Sequence, residues 1–142
     1  MSRVAQPNGD DHAEAAGKHL DDARVLEQAG RPDGAAYLAG YVVECCLKTL
    51  VEVEGGAPWG HEVRALAAEA SRLSACVGAR TAKYVSGTAV QQLPVSSISS
   101  WHPPQRYRAP GHITPAVARV WVEEATAIYD ATIVSMRLDG VL

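Results

Sequence analysis

The sequence predicts an all-α fold, an up-down bundle of four to five helices. Three observations carry the prediction. Residues 33–54, DGAAYLAGYVVECCLKTLVEVE, are apolar on almost every side, as in a helix at the centre of a bundle. The segments around this run repeat apolar residues at helical spacing. Alanine and valine dominate and phenylalanine is absent, a composition suited to helices packed at short distance. The 142 residues suffice for one domain with a sizeable core.

Residues 1–9 (MSRVAQPNG) read as a flexible tail and residues 10–142 as the helical domain. The tail has no apolar core, so no signal peptide or membrane anchor is visible. Asp10 or Asp11 caps a first helix whose inner face is Ala13, Ala16, Leu20, Ala23 and Leu26. Gly30 and Pro32 stop it, and Asp33 is expected to cap the next. A connection of about four residues makes these two helices antiparallel neighbours.

The central helix carries its polar residues in line. Tyr37, Tyr41, Glu44 and Lys48 follow at intervals of four, three and four, which places them on one face. Gly40 beside them lets another backbone approach. Glu44 and Lys48 interrupt the run before about twenty apolar residues accumulate, so it is not expected to span a membrane. Two readings of the stripe stand. One is a half-exposed Glu44–Lys48 pair with the tyrosine hydroxyls turned outward. The other is a polar seam facing a partner helix or a ligand, since a carboxylate in so apolar a run needs a partner.

GGAPWGHE at residues 55–62 ends the central helix. A third helix follows with Val63, Leu66, Ala70, Leu73 and Val77 on one face, and His61 capping or packing at its start. Residues 79–93 form a shorter helix around Tyr84 and Val85, weakened at Gly87 and Thr88. Residues 94–114 (PVSSISSWHPPQRYRAPGHIT) are the longest irregular segment, and a loop of that length with aromatic and basic groups points to function. His102, beside Pro103 and Pro104, reads as an exposed loop residue. Thr114 and Pro115 open a last helix to about Leu138, with Val117, Trp121, Ala125 and Ile128 inward.

Charge is unevenly spread. Residues 70–122 hold no Asp or Glu but six basic residues, Arg72, Arg80, Lys83, Arg106, Arg108 and Arg119. The rest has seven basic against sixteen acidic residues, so the middle segment carries +6 and the remainder −9. Such a segment suits an anionic partner, nucleic acid or a nucleotide phosphate; alternatively it packs on an acidic face of its own protein or of a second copy. Cys45 and Cys46 adjoin and Cys76 stands alone, which fits reduced thiols in a cytoplasmic protein. No Cys–His spacing resembles a zinc site, and neither metal nor cofactor is expected.

KHLDDARVLEQAGRPDGAAYLAGYVVECCLKTLVE (residues 18–52) resembles the first helical hairpin of HEPN-domain proteins. GHEVRAL (60–66) and the W-x-P-x-x-R-Y pattern of Trp101, Pro103, Arg106 and Tyr107 look like the segments that follow in that family. The resemblance implies an all-α bundle, typically a homodimer. Many such proteins are metal-independent endoribonucleases of toxin–antitoxin or phage-defence systems; others are non-catalytic partners of small nucleotidyltransferases, or bind nucleotides. It further implies a catalytic Arg and His separated by four to six residues near the dimer interface. Arg106 and His112, in RYRAPGH, have five between them.

The chemistry suits these residue types. Attack by an RNA's own 2′-hydroxyl needs a group that moves a proton near neutral pH, a role for His112. It also needs fixed positive charge on the phosphate, from Arg106 or Arg108. Trp101 and Tyr107 offer faces on which unpaired bases stack. Two features depart from the family pattern: Tyr107, not a polar residue, follows Arg106, and Pro110-Gly111 break any helix between Arg and His. The competing structural reading buries Arg106 against Glu44 and packs Tyr107 under the last helix. Three functions follow: a ribonuclease toxin or defence nuclease; a non-catalytic nucleotide-binding or nucleotidyltransferase-partner module; and a bundle devoted to dimerisation or antitoxin contact.

Overall fold

All 142 residues are described by a computed structural model, and every regular element in it is helical. α1 (His12–Gln28) starts at Asp11, whose carboxylate accepts from the Glu14 amide at 3.2 Å. α2 (Pro32–Val53) follows after a turn closed by Gly30 at a φ of +70°, and α1 packs along it. α3 (Val63–Ser74) lies on another side of α2. Two single turns come next, α4 (Ala82–Val85) and α5 (Ala89–Gln92), broken at Gly87, which has a φ of +72°. α6 (Pro115–Tyr129) also packs on α2 and on α1, and runs through a π turn (Asp130–Val134) into α7 (Ser135–Leu138).

Sixteen of the 22 residues of α2 are buried, so its neighbours must cover it all round. By length and hydropathy α2 would pass as a membrane span, Glu44 and Lys48 notwithstanding; 72% of its most apolar stretch is covered by the chain itself. The small side chains of α1, Ala13, Ala16 and Ala23, bring that helix close. Trp121, Ala125 and Ile128 face inward from α6, and the π turn leaves Thr132, Ile133 and Met136 all buried. Thr114 caps α6 by accepting from the Val117 amide, with Pro115 as the first helical residue. On α3, Val63, Leu66 and Ala70 point inward as expected, but the helix ends at Ser74 and Val77 beyond it is fully exposed.

The first nine residues turn back onto the bundle. The backbone N–H and hydroxyl of Ser2 donate to Asp11 at 2.6 and 2.8 Å, and the Gln6 amide donates to Glu52 at 3.1 Å. The C-terminal turn is latched by Asp139, which accepts from the Tyr84 hydroxyl and pairs with Lys83, both at 2.7 Å.

Residues 94–107 are mostly short 3₁₀ turns, Leu93–Val95, Ser97–Ser100 and Pro103–Tyr107, and only residues 108–114 stay irregular as expected. Glu124 of α6 accepts from the Ser97 and Ile98 amides at 3.0 and 2.8 Å, and the Trp121 indole donates to the Ser97 hydroxyl. Trp101 lies flat over Gly40 of α2, with its indole N–H donating to the Tyr37 carbonyl at 3.1 Å. Gly40 therefore admits a ring, not a second backbone. A Cβ at position 40 would come within 2.1 Å of three indole atoms. Gly40→Ala is expected to destabilise the protein by about 1–3 kcal/mol by overpacking, measured by urea unfolding, and to increase the accessibility of Trp101 to a fluorescence quencher.

Candidate functional site

The site forms where the start of α2 meets the RYRAPGH segment. Pro32 occupies the first position of α2, as its fixed φ favours. Arg31 is therefore the N-cap and makes no side-chain cap. Asp33 sits two residues past that cap, which corrects the expectation from sequence, and its carboxylate reaches across instead. It accepts from the amides of Gly111 at 2.6 Å and Ile113 at 2.9 Å. Gly111, at a φ of +87°, makes the turn that points both amides at one carboxylate. The same carboxylate lies 3.1 Å from Nδ1 of His112.

Two clefts open on this junction and share Asp33, Gly34 and Arg108. The smaller, about 200 Å³, is lined by Arg106, Arg108, His112 and Tyr37. The larger, about 420 Å³, has Arg31, Arg108 and Pro110 on its wall. Arg106 and His112, six positions apart across a helix-breaking Pro-Gly pair, thus face one cavity. Arg106 comes from the 3₁₀ turn Pro103–Tyr107 and His112 from the stretch preceding α6.

Electrostatics sharpen the site. Of the six basic residues in the acid-free segment, Arg72 pairs with Glu69, Lys83 with Asp139 and Arg119 with Glu27, while Arg80 donates to the Val53 carbonyl. Arg106 and Arg108 have no carboxylate within ion-pair reach. The phenol groups of Tyr37 and Tyr107 favour the charged form of Arg106 further. Its guanidinium lies 4.9 Å from the Tyr107 ring centre, within cation–π range. The Gly111 amide, helped by the Ile113 amide and the charge of His112, holds Asp33 below the ordinary carboxylate range against the opposing effect of burial.

Several expectations from sequence are corrected here. Trp101 is only 2% exposed, spent on seating the segment against Gly40, and offers no face to a base. Arg106 does not pair with Glu44. That carboxylate is buried, with Lys48 Nζ at 2.8 Å and His61 Nδ1 at 2.9 Å, so His61 binds across to α2 rather than capping α3. Tyr107 is not packed under α6; it is 76% exposed. The Glu44–Lys48 pair of the first stripe reading does form, but buried rather than half-exposed. The tyrosine hydroxyls turn to each other, 3.1 Å apart, not outward; burial followed by that hydrogen bond pushes Tyr41 up to about 12. His102 is exposed, as read.

The HEPN-domain family model matches residues 10–135. The chain belongs to the HEPN family. No curated protein and no solved structure matches it. In this HEPN domain Arg106 and His112 of the Arg-x5-His pattern share no helix: His112 is braced by a carboxylate at the start of α2, and Arg106 stands on its own 3₁₀ turn. Sequence reasoning missed that role of Asp33. The signal was present in Pro32, which moves the cap back to Arg31 and frees the carboxylate.

Asp33→Ala is expected to speed amide hydrogen exchange at Gly111 and Ile113 and leave the core amides of α2 unchanged. Because the folded-state pKa of Asp33 is lowered, its stabilisation is complete above the unfolded value of 3.8 and fades as pH falls through the lower folded value. The stability difference between wild type and Asp33→Asn, followed by urea unfolding, should shrink accordingly towards pH 3.

Proposed function

We propose that the protein is a metal-independent endoribonuclease of the toxin or defence type, acting in the cytoplasm as a homodimer. The observation that supports it best is the convergence of Arg106 and His112 on one cleft, beside an Arg108 that no carboxylate neutralises. In this reading a phosphodiester of single-stranded RNA sits between the guanidiniums. The 2′-hydroxyl loses its proton to His112 as its oxygen attacks phosphorus. The 5′-oxygen leaves with a proton that the imidazole can return, giving a 2′,3′-cyclic phosphate and a 5′-hydroxyl. Arg106 and Arg108 stabilise the charge that builds on the phosphoryl oxygens. Asp33 beside Nδ1 favours a proton there and leaves Nε2 for the substrate, the logic of an oriented catalytic histidine. Exposed Tyr107 supplies a stacking face for a base.

One observation favours a second reading. Both signature residues stand on non-helical backbone, and the adjoining cleft of about 420 Å³ falls in the size range of small-ligand pockets. A HEPN module that binds a nucleotide, or that serves a nucleotidyltransferase or an antitoxin, would use the same arginines without cleaving. Cleavage of tRNA and mRNA by purified protein in EDTA separates the two. Wild type should cut. His112→Ala should be slower by about 10²–10⁴-fold, and Arg106→Ala by about 10²–10³-fold. Intact RNA with wild type, or an undiminished His112→Ala, would leave the binding reading in place.

A further inference from the structure

The larger cleft takes no part in the step just described, yet it is built from the same junction. Its charged wall is Arg31, Arg108 and Asp33. Asp33 keeps its negative charge, but both its oxygens are occupied by the Gly111 and Ile113 amides, with His112 beside one of them, and the guanidiniums outnumber it two to one on this wall. Arg31 is exposed, caps nothing with its side chain and has no carboxylate within ion-pair reach. Arg108 lines both clefts. The result is a row of three unneutralised guanidiniums, Arg106, Arg108 and Arg31, with Arg108 in the middle. A single phosphate needs no such row. A chain of phosphates does.

From this we infer that the larger cleft is a second phosphate subsite for single-stranded RNA, in which Arg31 and Arg108 hold the phosphodiester adjoining the one at Arg106 and His112. It rests on the proposed RNA reading and extends it from one phosphate to two. Arg31 is then a substrate-binding residue outside the signature, supplied by the α1–α2 turn. Two wall features suit a flexible backbone: Pro110 and Gly34 present little bulk, and Leu26 gives an apolar floor. Guanidiniums match phosphate geometry with paired donors.

The test is binding to a cleavage-silent His112→Ala protein, with and without Arg31→Gln, using fluorescent oligonucleotides at several salt concentrations. One probe is a dinucleotide with a single internal phosphate; the other is a tetranucleotide with three. Arg31→Gln should weaken the tetranucleotide about tenfold at low salt, the worth of one charge-assisted contact. It should flatten the slope of log affinity against log salt by about 0.7, one phosphate contact on a single strand. Dinucleotide binding should not change, and Arg31→Lys should restore most of the slope. Tetranucleotide affinity and slope indifferent to Arg31→Gln would overturn the subsite and leave the ribonuclease reading standing. Equal losses for both probes would also overturn it, placing Arg31 at the first phosphate. Arg31-dependent binding without cleavage by wild type in EDTA would remove the nuclease and keep the subsite. No binding of either probe would overturn both.

Discussion

A 22-residue helix that is apolar around its circumference cannot leave a side open to water, and the rest of the fold answers to that constraint. α1 closes one flank with alanines, α6 another, and α3 a third. What remains is the strip where α2 meets residues 101–113. There the cover is not a helix but a tryptophan ring laid on Gly40. Burying so large an aromatic contributes a few kcal/mol. It also fixes where the chain must pass next, so the position of Arg106 and His112 follows from the demand to cover α2.

The polar residues of α2 show the cost of the same constraint. Glu44, Lys48 and Glu52 stand four apart on one face and are all nearly buried. Lys48 and His61 hold one oxygen of Glu44, and His12 and Gln6 hold one oxygen of Glu52. The second oxygen of each carboxylate has no partner. Removing Lys48 or either histidine would leave a carboxylate with too little compensation, which is costlier than never having had the pair. These partners come from the N-terminal segment, from α1 and from the α2–α3 turn, so the seam ties three distant stretches to the central helix.

Much of the helical framework was legible because its signals are local. Asp11, Thr114 and Pro115 lie where capping chemistry places them, and the apolar spacing of α1, α3 and α6 is read directly. The destination of residues 94–114 was not legible. Serine and proline forbid a long helix there but do not say that Glu124 will gather the Ser97 and Ile98 amides. Nor does an aromatic residue in an irregular stretch reveal whether its ring faces solvent or core. Trp101 and Tyr107 are six positions apart and went opposite ways, because only Trp101 had a glycine on α2 to lie against. The acid-free segment was visible as a charge pattern, but its partition was not, since three of its carboxylate partners lie in other parts of the fold or just before its start.

That partition gives the segment its meaning. A +6 stretch on a protein of net charge −3 could have been an evenly basic face, with weak pull on any anion. Instead, three of the six charges are paired with the chain's own carboxylates, and Arg80 is tied to the Val53 carbonyl on another side of the fold. The two left over stand together at the start of the central helix, joined there by Arg31. Partial positive charge on the first amides of that helix adds to theirs. The one carboxylate nearby is turned into a brace by two amides and a histidine. Pro110 and Gly111 thereby take on a structural use. A helix through them would fix Arg106 and His112 by periodicity alone, but it could not aim the Gly111 and Ile113 amides at Asp33. The break trades helical rigidity for a hydrogen-bonded brace, and that brace fixes the histidine at the cavity that Arg106 and Arg108 also line.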